Sequence, residues 1–446
     1  GMLAGSVEGG VESWKGIPFA APPVGPLRWR APQPAAPWPG VQEARAFGPD
    51  CMQKPSSMGM VPRLGAAPAE DCLYVNVWRP AAATAKLPVL FWIFGGGFVN
   101  GGSSQPVSSG ENLARQGVLV VSFNYRVGRF GTFAHPQLTQ QNADGGLLGN
   151  YGYLDQIAAL KWVRRNIAAF GGDPANVTLF GESAGARSIN TLVTSPMARG
   201  LFAKAAIMSG GDGHSANVGS LAQAEQIGVL FATSKGIAAD DPNALTRLRA
   251  LSADDVVDGL NLEVMFTARP PTYGFPFVDG KIAVDSGTAL RTGAFAKVPT
   301  MIGATSADLA GRTGYMLTGA RNTATTIAAA GVPVYAYRFS YVAESEERRE
   351  GAGHATDIPF FFDTVDVRYQ GKTTPRDRGM SKAMSTYLVN FAKTGDPNDG
   401  KLTVWPRYSR ATDLIVNFAE DGTVVSQKDP WGAELDAAGS PAPPGR

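Results

Sequence analysis

A glycine-flanked serine at residues 181–185, Gly-Glu-Ser-Ala-Gly, places the strongest demand on the local fold of this chain. The segment follows a strand-like apolar run at 177–180 and precedes residues that can begin a helix. A turn this sharp strains the backbone of Ser183, and flanking glycines remove side chains that would clash within it. Because the chain contains 54 glycines, the pattern alone could arise by chance. Its context predicts a serine hydroxyl held at the N-terminus of a helix, where N–H groups favour negative charge.

The composition supports a large core and argues against several classes of partner. Of the 446 residues, 44% are hydrophobic and 17% are charged, below the roughly 25% charged residues of typical domains. The net charge of +2 gives no reason to expect nucleic acid or an anionic membrane as partner. No apolar run reaches the ~18 residues of a membrane span. Residues 87–99 come closest, and three glycines interrupt them.

Continuous apolar runs predict the central strands of a sheet that is covered on both faces. The two clearest runs occupy 87–94 and 118–123. Further strands are predicted at 177–180, 204–208, 298–302 and 332–339. Helices are predicted at 155–169, over most of 220–262 and at 381–392. Strands that alternate with helices indicate an α/β fold with a mostly parallel central sheet flanked by helices.

A serine nucleophile needs a base, and the chain offers only three histidines. His135 lies in a predicted loop, and His214 lies in a glycine-rich segment. We expect His214 at the surface, with the mouth of the pocket as the alternative. His354 lies in a loop late in the chain, just before the apolar run 358–362, where this sheet topology places the base. We therefore predict that His354 is the base.

The acid that orients the base should follow a strand between the serine and the histidine. Asp308 follows the strand predicted at 298–302 and is our predicted acid. Asp357 and Asp363 are its rivals. Asp357 is only three residues from His354, and we expect it to cap the helix or turn that follows.

Attack on a carbonyl creates an oxyanion, which needs preorganised N–H donors. Three glycines at 95–97 directly follow the predicted strand 87–94, and glycine lets the backbone approach a substrate closely. A flexible loop is the alternative for a glycine run alone, but this one follows a buried strand and precedes the serine turn. We predict that the donors are the N–H groups of Gly96, Gly97 and Ala184.

The chain has two cysteines, Cys51 and Cys72. Their spacing fits one loop-closing disulfide, with two buried free thiols as the alternative, and two ligands are too few for a metal site. A disulfide would imply an oxidising compartment. We expect a secreted or periplasmic protein whose leader has been removed, with the cytoplasm as the alternative.

Longer motifs resemble the type-B carboxylesterase family, which includes cholinesterase-like proteins and bacterial para-nitrobenzyl esterases. Residues 170–174, with the strand and serine turn after them, look like the serine signature of that family. Residues 70–78 look like its second signature. Similar motifs occur at 15–23, at 149–160 and around His354. The resemblance runs from about residue 10 to 415, and its motifs are too long for chance agreement.

The resemblance implies an α/β-hydrolase fold in a single domain over 1–446, with insertions over the active site at roughly 220–290 and 309–330. The composition of the last residues predicts a loose tail at 435–446. It implies hydrolysis of carboxylic esters through an acyl-enzyme, without a metal or cofactor. A Cys51–Cys72 disulfide and a buried Arg28–Glu70 ion pair are also implied.

The resemblance further suggests supporting roles for Glu182 and Ser209, although a purely structural role fits each equally well. Two departures concern the acid. The family more often has glutamate where Asp308 stands, and the interval from Asp308 to His354 is much shorter than usual. Either the site is unusually open, or part of this interval, around 318–322, is missing from the sequence.

We expect an esterase that acts on small-molecule esters as a monomer or homodimer. An amidase, thioesterase or carbamate hydrolase on the same triad is the alternative within this class. A non-catalytic adhesion or binding relative is the alternative outside it. Phe98, Phe360 and Phe361 are candidates to line an apolar pocket, with ordinary core packing as the alternative.

Overall fold

A computed structural model describes residues 1–57, 62–83, 86–211, 219–265, 267, 271–346 and 350–439. Across these residues, the largest sheet has eleven strands and is flanked by helices. His214 lies outside the described residues, so its predicted surface position is not addressed.

The strands range from two to eleven residues, and the longest, β12 (Gly172–Glu182), lies in the centre of the largest sheet. In chain order they are β1 (Met2–Ala4), β2 (Ser6–Glu8), β3 (Val11–Pro18), β4 (Val41–Glu43), β5 (Asp50–Cys51), β6 (Pro68–Ala69), β7 (Tyr74–Pro80), β8 (Leu87–Ile93), β9 (Leu119–Phe123), β10 (Thr132–Phe133), β11 (Gly149–Asn150), β12 (Gly172–Glu182), β13 (Lys204–Met208), β14 (Thr300–Thr305), β15 (Val334–Phe339), β16 (Leu414–Phe418) and β17 (Val424–Lys428).

The helices fall mainly between the strands of the central sheet. They are α1 (Glu111–Ala114), α2 (Gly128–Gly131), α3 (Pro136–Gln141), α4 (Tyr151–Asn166), α5 (Ala184–Thr194), α6 (Leu221–Ser234), α7 (Ala244–Ala250), α8 (Ala253–Val257), α9 (Ser286–Arg291), α10 (Tyr315–Ala329), α11 (Ile358–Phe362), α12 (Val365–Tyr369), α13 (Pro375–Thr394) and α14 (Gly432–Ala438).

The sheet order is β17-β16-β15-β14-β13-β12-β8-β9-β7-β3-β2. In this sheet order, each strand from β16 across to β9 pairs in parallel with its neighbour. The pairs at both edges are antiparallel. Every residue of β9, β13, β14 and β15 is buried, because helices cover both faces of a parallel sheet. The predicted α/β-hydrolase architecture is confirmed.

Helix ends follow local capping chemistry more closely than apolar spacing. The helix predicted at 381–392 begins earlier, at Pro375, where Thr374 and Asp377 form a reciprocal capping box. It ends before Gly395, which adopts φ 82°, a left-handed conformation that glycine tolerates. A left-handed glycine also ends the helix predicted at 155–169. Its last turn is a 3₁₀ helix, which ends before Gly171.

Two segments differ from the expected insertion and tail. Residues 315–329, part of a predicted insertion over the site, form α10, which packs against β14 and β15 as the helix between them. This helix runs unbroken through 318–322. Residues 435–438, predicted to be loose, belong to α14. Leu435 packs in a buried cluster with Ala304 and Leu317, which explains why this part of the tail is held.

One disulfide and one buried ion pair anchor the N-terminal third of the chain. Cys51 and Cys72 form a disulfide, as predicted. Arg28 forms a bidentate ion pair with Glu70 through bonds of 2.6 Å and 2.7 Å, and both side chains are mostly buried. Among the helices described, none is both long and apolar enough to cross a membrane.

The parallel strands bring the predicted site residues to one edge of the sheet. The carboxyl ends of β8, β12, β13 and β14 are followed directly by the glycine run, Ser183, Ser209 and the loop of Asp308. In a parallel sheet these ends lie side by side, where α/β proteins bind their ligands.

Candidate active site

Ser183 occupies a strained turn between β12 and α5. Its backbone has φ 55° and ψ −120°, which is rare for a residue with a side chain. A Cβ atom on Gly185 would lie 1.9 Å from the carbonyl oxygen of Ile93, so only glycine fits there. The N–H of Ser183 donates to the carbonyl of Met208 at 2.9 Å, which ties the turn to the next strand. The sheet therefore holds this serine in one position.

Ser183, His354 and Asp308 form a continuous hydrogen-bonded chain. The distance from His354 Nε2 to Ser183 Oγ is 2.9 Å, and the distance from His354 Nδ1 to Asp308 Oδ1 is 2.6 Å. The tautomer that satisfies both contacts carries its proton on Nδ1 and leaves Nε2 free to accept the serine proton. Residues separated widely along the chain thus meet in the geometry of a general base and its orienting acid.

Asp308 is buried and accepts hydrogen bonds at both carboxylate oxygens. The Ser209 hydroxyl donates to Oδ2 at 2.6 Å, and the N–H of Thr305 donates to the same oxygen at 3.2 Å. The N–H of Leu309 donates to Oδ1 at 2.7 Å. Burial alone would raise the pKa of Asp308, but attraction to His354 and these donors hold it below its ordinary value. Asp308 is therefore an anion at neutral pH.

The glycine run lies beside the serine turn, because a Cβ atom on Gly95 would lie 3.0 Å from Ser183 Cβ. Gly96 has φ 110° and Gly97 has φ 65°, and a Cβ atom on Gly96 would lie 2.4 Å from the carbonyl oxygen of Asn100. The carbonyl of Gly96 accepts the N–H groups of Val99 and Asn100, which fixes the loop. Within the described part of the chain, the N–H groups of Gly96 and Gly97 make no hydrogen bond.

Ala184 is the first residue of α5, and the N–H groups of a helix's first turn have no partner inside the helix. No hydrogen bond from the Ala184 N–H to another described residue is present. This donor adjoins Ser183 directly in the chain. Together with the two glycine N–H groups, it makes three backbone donors that have no hydrogen-bond partner among the described residues.

Glu182 is a second buried carboxyl group beside the imidazole. Its Oε1 atom lies 3.2 Å from His354 Nε2, on the same side as Ser183. Burial raises the pKa of Glu182 to about 8, partly offset by attraction to His354. For His354 itself, burial lowers the pKa, but the charges of Glu182 and Asp308 outweigh burial and raise it to about 9. The carboxyl groups therefore favour the protonated imidazole.

The two rival acids do not contact the imidazole. Asp357 is buried, and its Oδ2 accepts the Tyr337 hydroxyl at 3.3 Å. Burial and the charge of Asp308 raise the pKa of Asp357 to about 7. Its side chain does not cap α11, contrary to prediction, because its backbone is already helical (φ −80°, ψ −19°). Asp363 accepts the Ser381 hydroxyl at 3.0 Å.

The three aromatic candidates for a substrate pocket are all buried. Phe360 packs on Phe339 and Tyr341, with ring centroids 5.2 Å and 5.5 Å away. Phe361 similarly packs within the aromatic core. Phe98 directly follows the glycine run and stacks edge-on with a core tyrosine. Of the three, only Phe98 is adjacent in sequence to the site.

Leu262 and Met265 cover the glycine run and were not anticipated. A Cβ atom on Gly97 would lie 2.7 Å from Leu262 Cδ1 and 3.1 Å from Met265 Cε. The N–H of Leu262 donates to Asn100 Oδ1 at 2.8 Å, which fastens this segment to the glycine loop. Their segment is irregular, so no periodic pattern in the sequence could have singled them out.

Comparisons with known proteins agree on one family. The family model described as "Carboxylesterase family" matches residues 1–318 and 310–430. Para-nitrobenzyl esterase of Bacillus subtilis is 33% identical, with 96% of this chain and 95% of that protein covered. Fumonisin B1 esterase of Sphingopyxis macrogoltabida is 32% identical, with 94% and 85% covered. The two matched ranges meet at 310–318, where the short interval after Asp308 begins.

Solved structures give the same result. A PNB esterase structure superposes with a TM-score of 0.86 at 31% identity, covering 99% of this chain and 98% of that chain. A carboxylesterase of Geobacillus stearothermophilus superposes with a TM-score of 0.82 at 34% identity, covering 98% of both chains. This chain belongs to the carboxylesterase family and is a carboxylic ester hydrolase.

Proposed function

We propose that the protein hydrolyses esters of small molecules through an acyl-enzyme formed on Ser183. The observation that carries this proposal is the unbroken contact from Asp308 through His354 to Ser183 Oγ, at 2.6 Å and 2.9 Å. Serine is a weak nucleophile unless a base lies within hydrogen-bond reach, and His354 Nε2 meets that requirement.

The first half-reaction transfers the acyl group to the enzyme. Ser183 Oγ attacks the ester carbonyl while its proton passes to His354 Nε2, and Asp308 stabilises the resulting imidazolium. In this proposal the N–H groups of Gly96, Gly97 and Ala184 donate to the oxyanion. When the tetrahedral intermediate collapses, the carbon–oxygen bond to the alcohol breaks and Nε2 gives its proton to the leaving oxygen.

The second half-reaction restores the enzyme. Water attacks the acyl carbonyl on Ser183, and His354 takes a proton from that water. Collapse of this second intermediate breaks the bond to Ser183 Oγ, which recovers its proton from Nε2. The carboxylic acid is released. Ser209 supports both halves as a positioning residue, because its hydroxyl holds the Asp308 carboxylate.

We further propose that the protein is exported to an oxidising compartment. The Cys51–Cys72 disulfide forms and persists in oxidising compartments such as the periplasm or the extracellular space.

Trapping the intermediate tests the mechanism. With p-nitrophenyl acetate in rapid mixing, we expect a burst of p-nitrophenol equal to the enzyme concentration, if deacylation is slower than acylation. Acid quenching and peptide mass spectrometry should then place one acetyl group on the peptide that contains Ser183. Acetyl on another residue, or none in the presence of a burst, would contradict the proposal.

A matched anilide and thioester, assayed in parallel, distinguish an esterase from an amidase or thioesterase.

The pH dependence of the reaction should respond to Glu182. Only neutral His354 can accept the serine proton, so kcat/KM rises with pH through the pKa of this residue. The Glu182 carboxylate favours imidazolium, and Glu182→Gln removes that charge. We expect the midpoint to move to lower pH by about one unit, less than for a fixed charge because Glu182 itself is partly protonated. The measurement is kcat/KM against pH.

Glu12→Gln is the matched control, because Glu12 pairs with Arg79 and lies on β3, four strands away from β12 in the sheet. Its midpoint should equal that of the unaltered enzyme. An unchanged or higher midpoint in Glu182→Gln would refute the assigned electrostatic role of Glu182.

A further inference from the structure

A cavity of about 230 Å³ borders His354 and is lined by two arginines. Its walls are largely apolar, and Arg63, Arg368 and Gln370 are the polar side chains that line it with His354 and Thr356. The described residues around this cavity include no aspartate or glutamate. An apolar pocket with a few placed polar groups is the usual form of a small-molecule site.

The cavity carries excess positive charge. Arg368 lies 3.6 Å from Glu346, but both side chains are substantially exposed, at 43% and 36%, so this pair is weak. Arg63 forms no ion pair with any described residue. Among the described residues, Glu346 is the one carboxylate that pairs with either arginine; it pairs with Arg368, is partly exposed to solvent and does not line the cavity.

The cavity borders His354, the residue that protonates the departing alcohol in the proposed mechanism. His354 must give its proton to the leaving oxygen, so the alcohol lies beside the imidazole. A second cavity, of about 610 Å³, is lined by Asp308, His354 and Glu346 and shares Arg368 with the first, whereas the cavity lined by both arginines does not contact Asp308. Leu262 and Met265, which cover Gly97, border neither cavity.

We propose that Arg63 and Arg368 form a subsite for a carboxylate carried on the alcohol portion of the ester. Guanidinium groups bind carboxylates through paired, charge-assisted hydrogen bonds, and the apolar walls would pack against the carbon skeleton that carries the carboxylate. This inference rests on the proposed function, because that function defines which side of His354 the alcohol occupies. It adds a substrate class, acidic alcohols and phenols, to that function.

Matched aryl acetates test the subsite. The esters para-acetoxybenzoate and para-acetoxybenzamide share the acyl group and the ring and differ in charge, and the meta isomers vary the reach. After correction for their rates of hydroxide hydrolysis, we expect kcat/KM to favour the carboxylate over the amide by about tenfold in at least one isomer pair. This ratio should fall as salt is added, since exposed charges are screened.

Arg63→Gln and Arg368→Gln should each lower the carboxylate-to-amide ratio, and the double variant should bring it close to one. Arg45→Gln is the matched control, because Arg45 is an exposed arginine that does not line the cavity. Its ratio should equal that of the unaltered enzyme. Both esters are measured on the same sample, so a loss of folded enzyme cancels from the ratio.

A ratio of one or less in the unaltered enzyme, or a ratio that survives both substitutions, would overturn the subsite. Failure of the subsite and failure of the proposed function give different results. Loss of the carboxylate preference while the acetyl-Ser183 intermediate still forms would reject the subsite alone. Absence of that intermediate, with turnover of both esters retained, rejects the mechanism.

Discussion

Replacement of Ser183 by alanine is expected to lower kcat by roughly 10⁴-fold or more, the range seen when a triad nucleophile is removed. The hydroxyl that lies 2.9 Å from His354 Nε2 is the only group in this turn able to form the acyl-enzyme. Residual turnover would come from the N–H donors and from substrate binding, which the substitution leaves in place. The measurement is kcat on p-nitrophenyl acetate, alongside thermal unfolding of both proteins.

Ser409→Ala provides the matched control, because Ser409 lies in a turn outside the site and its hydroxyl contacts Thr412 and no other described residue. Its kcat should be unchanged. Near-normal turnover in Ser183→Ala, with the variant folded, would remove Ser183 from the role of nucleophile.

Replacement of Asp308 by asparagine is expected to lower kcat by about 10³- to 10⁴-fold. Both oxygens of Asp308 already accept N–H or O–H donors, from His354 and Leu309 at one and from Ser209 and Thr305 at the other. An amide NH₂ group placed at either position would face a donor. The imidazole would then lose both its counter-charge and the partner that keeps the proton on Nδ1.

Asp363→Asn is the comparison that makes this result specific. Asp363 was a rival for the acid, and its carboxylate accepts the Ser381 hydroxyl at the end of α11. We expect kcat in Asp363→Asn within a fewfold of the unaltered enzyme. If kcat fell sharply in Asp363→Asn and was retained in Asp308→Asn, the assignment of the acid would be incorrect.

Local pattern predicted much of this fold. The strand predicted at 204–208 coincides with β13, and the runs predicted at 87–94 and 118–123 fall within one residue of β8 and β9. These strands lie in the centre of a parallel sheet, where burial on both faces demands continuous apolar sequence. The serine turn was equally visible, because its glycines are required by atoms that crowd the turn.

Other features could not be recognised from the sequence. Asp357 resembles a capping residue, yet it is buried against Tyr337, and only the packing of β15 on the loop reveals this. Phe360 and Phe361 form an aromatic run that suits a pocket or a core equally well, and the sheet places them in the core. Arg63 and Arg368 carry no distinctive pattern in the sequence, and only the fold brings a loop and helix α12 together at one cavity.

Short-range patterns in the chain were sufficient to assign the fold class, the central strands, the serine turn and three candidate triad residues. Such patterns reflect backbone sterics and the spacing of apolar residues, and both can be read from residues close together in the sequence. The distances within the triad, the Glu182 carboxyl beside His354, and the leucine and methionine over Gly97 depended on the folded molecule. These contacts join residues far apart in the chain, and their chemistry depends on separations of a few ångströms that only packing sets.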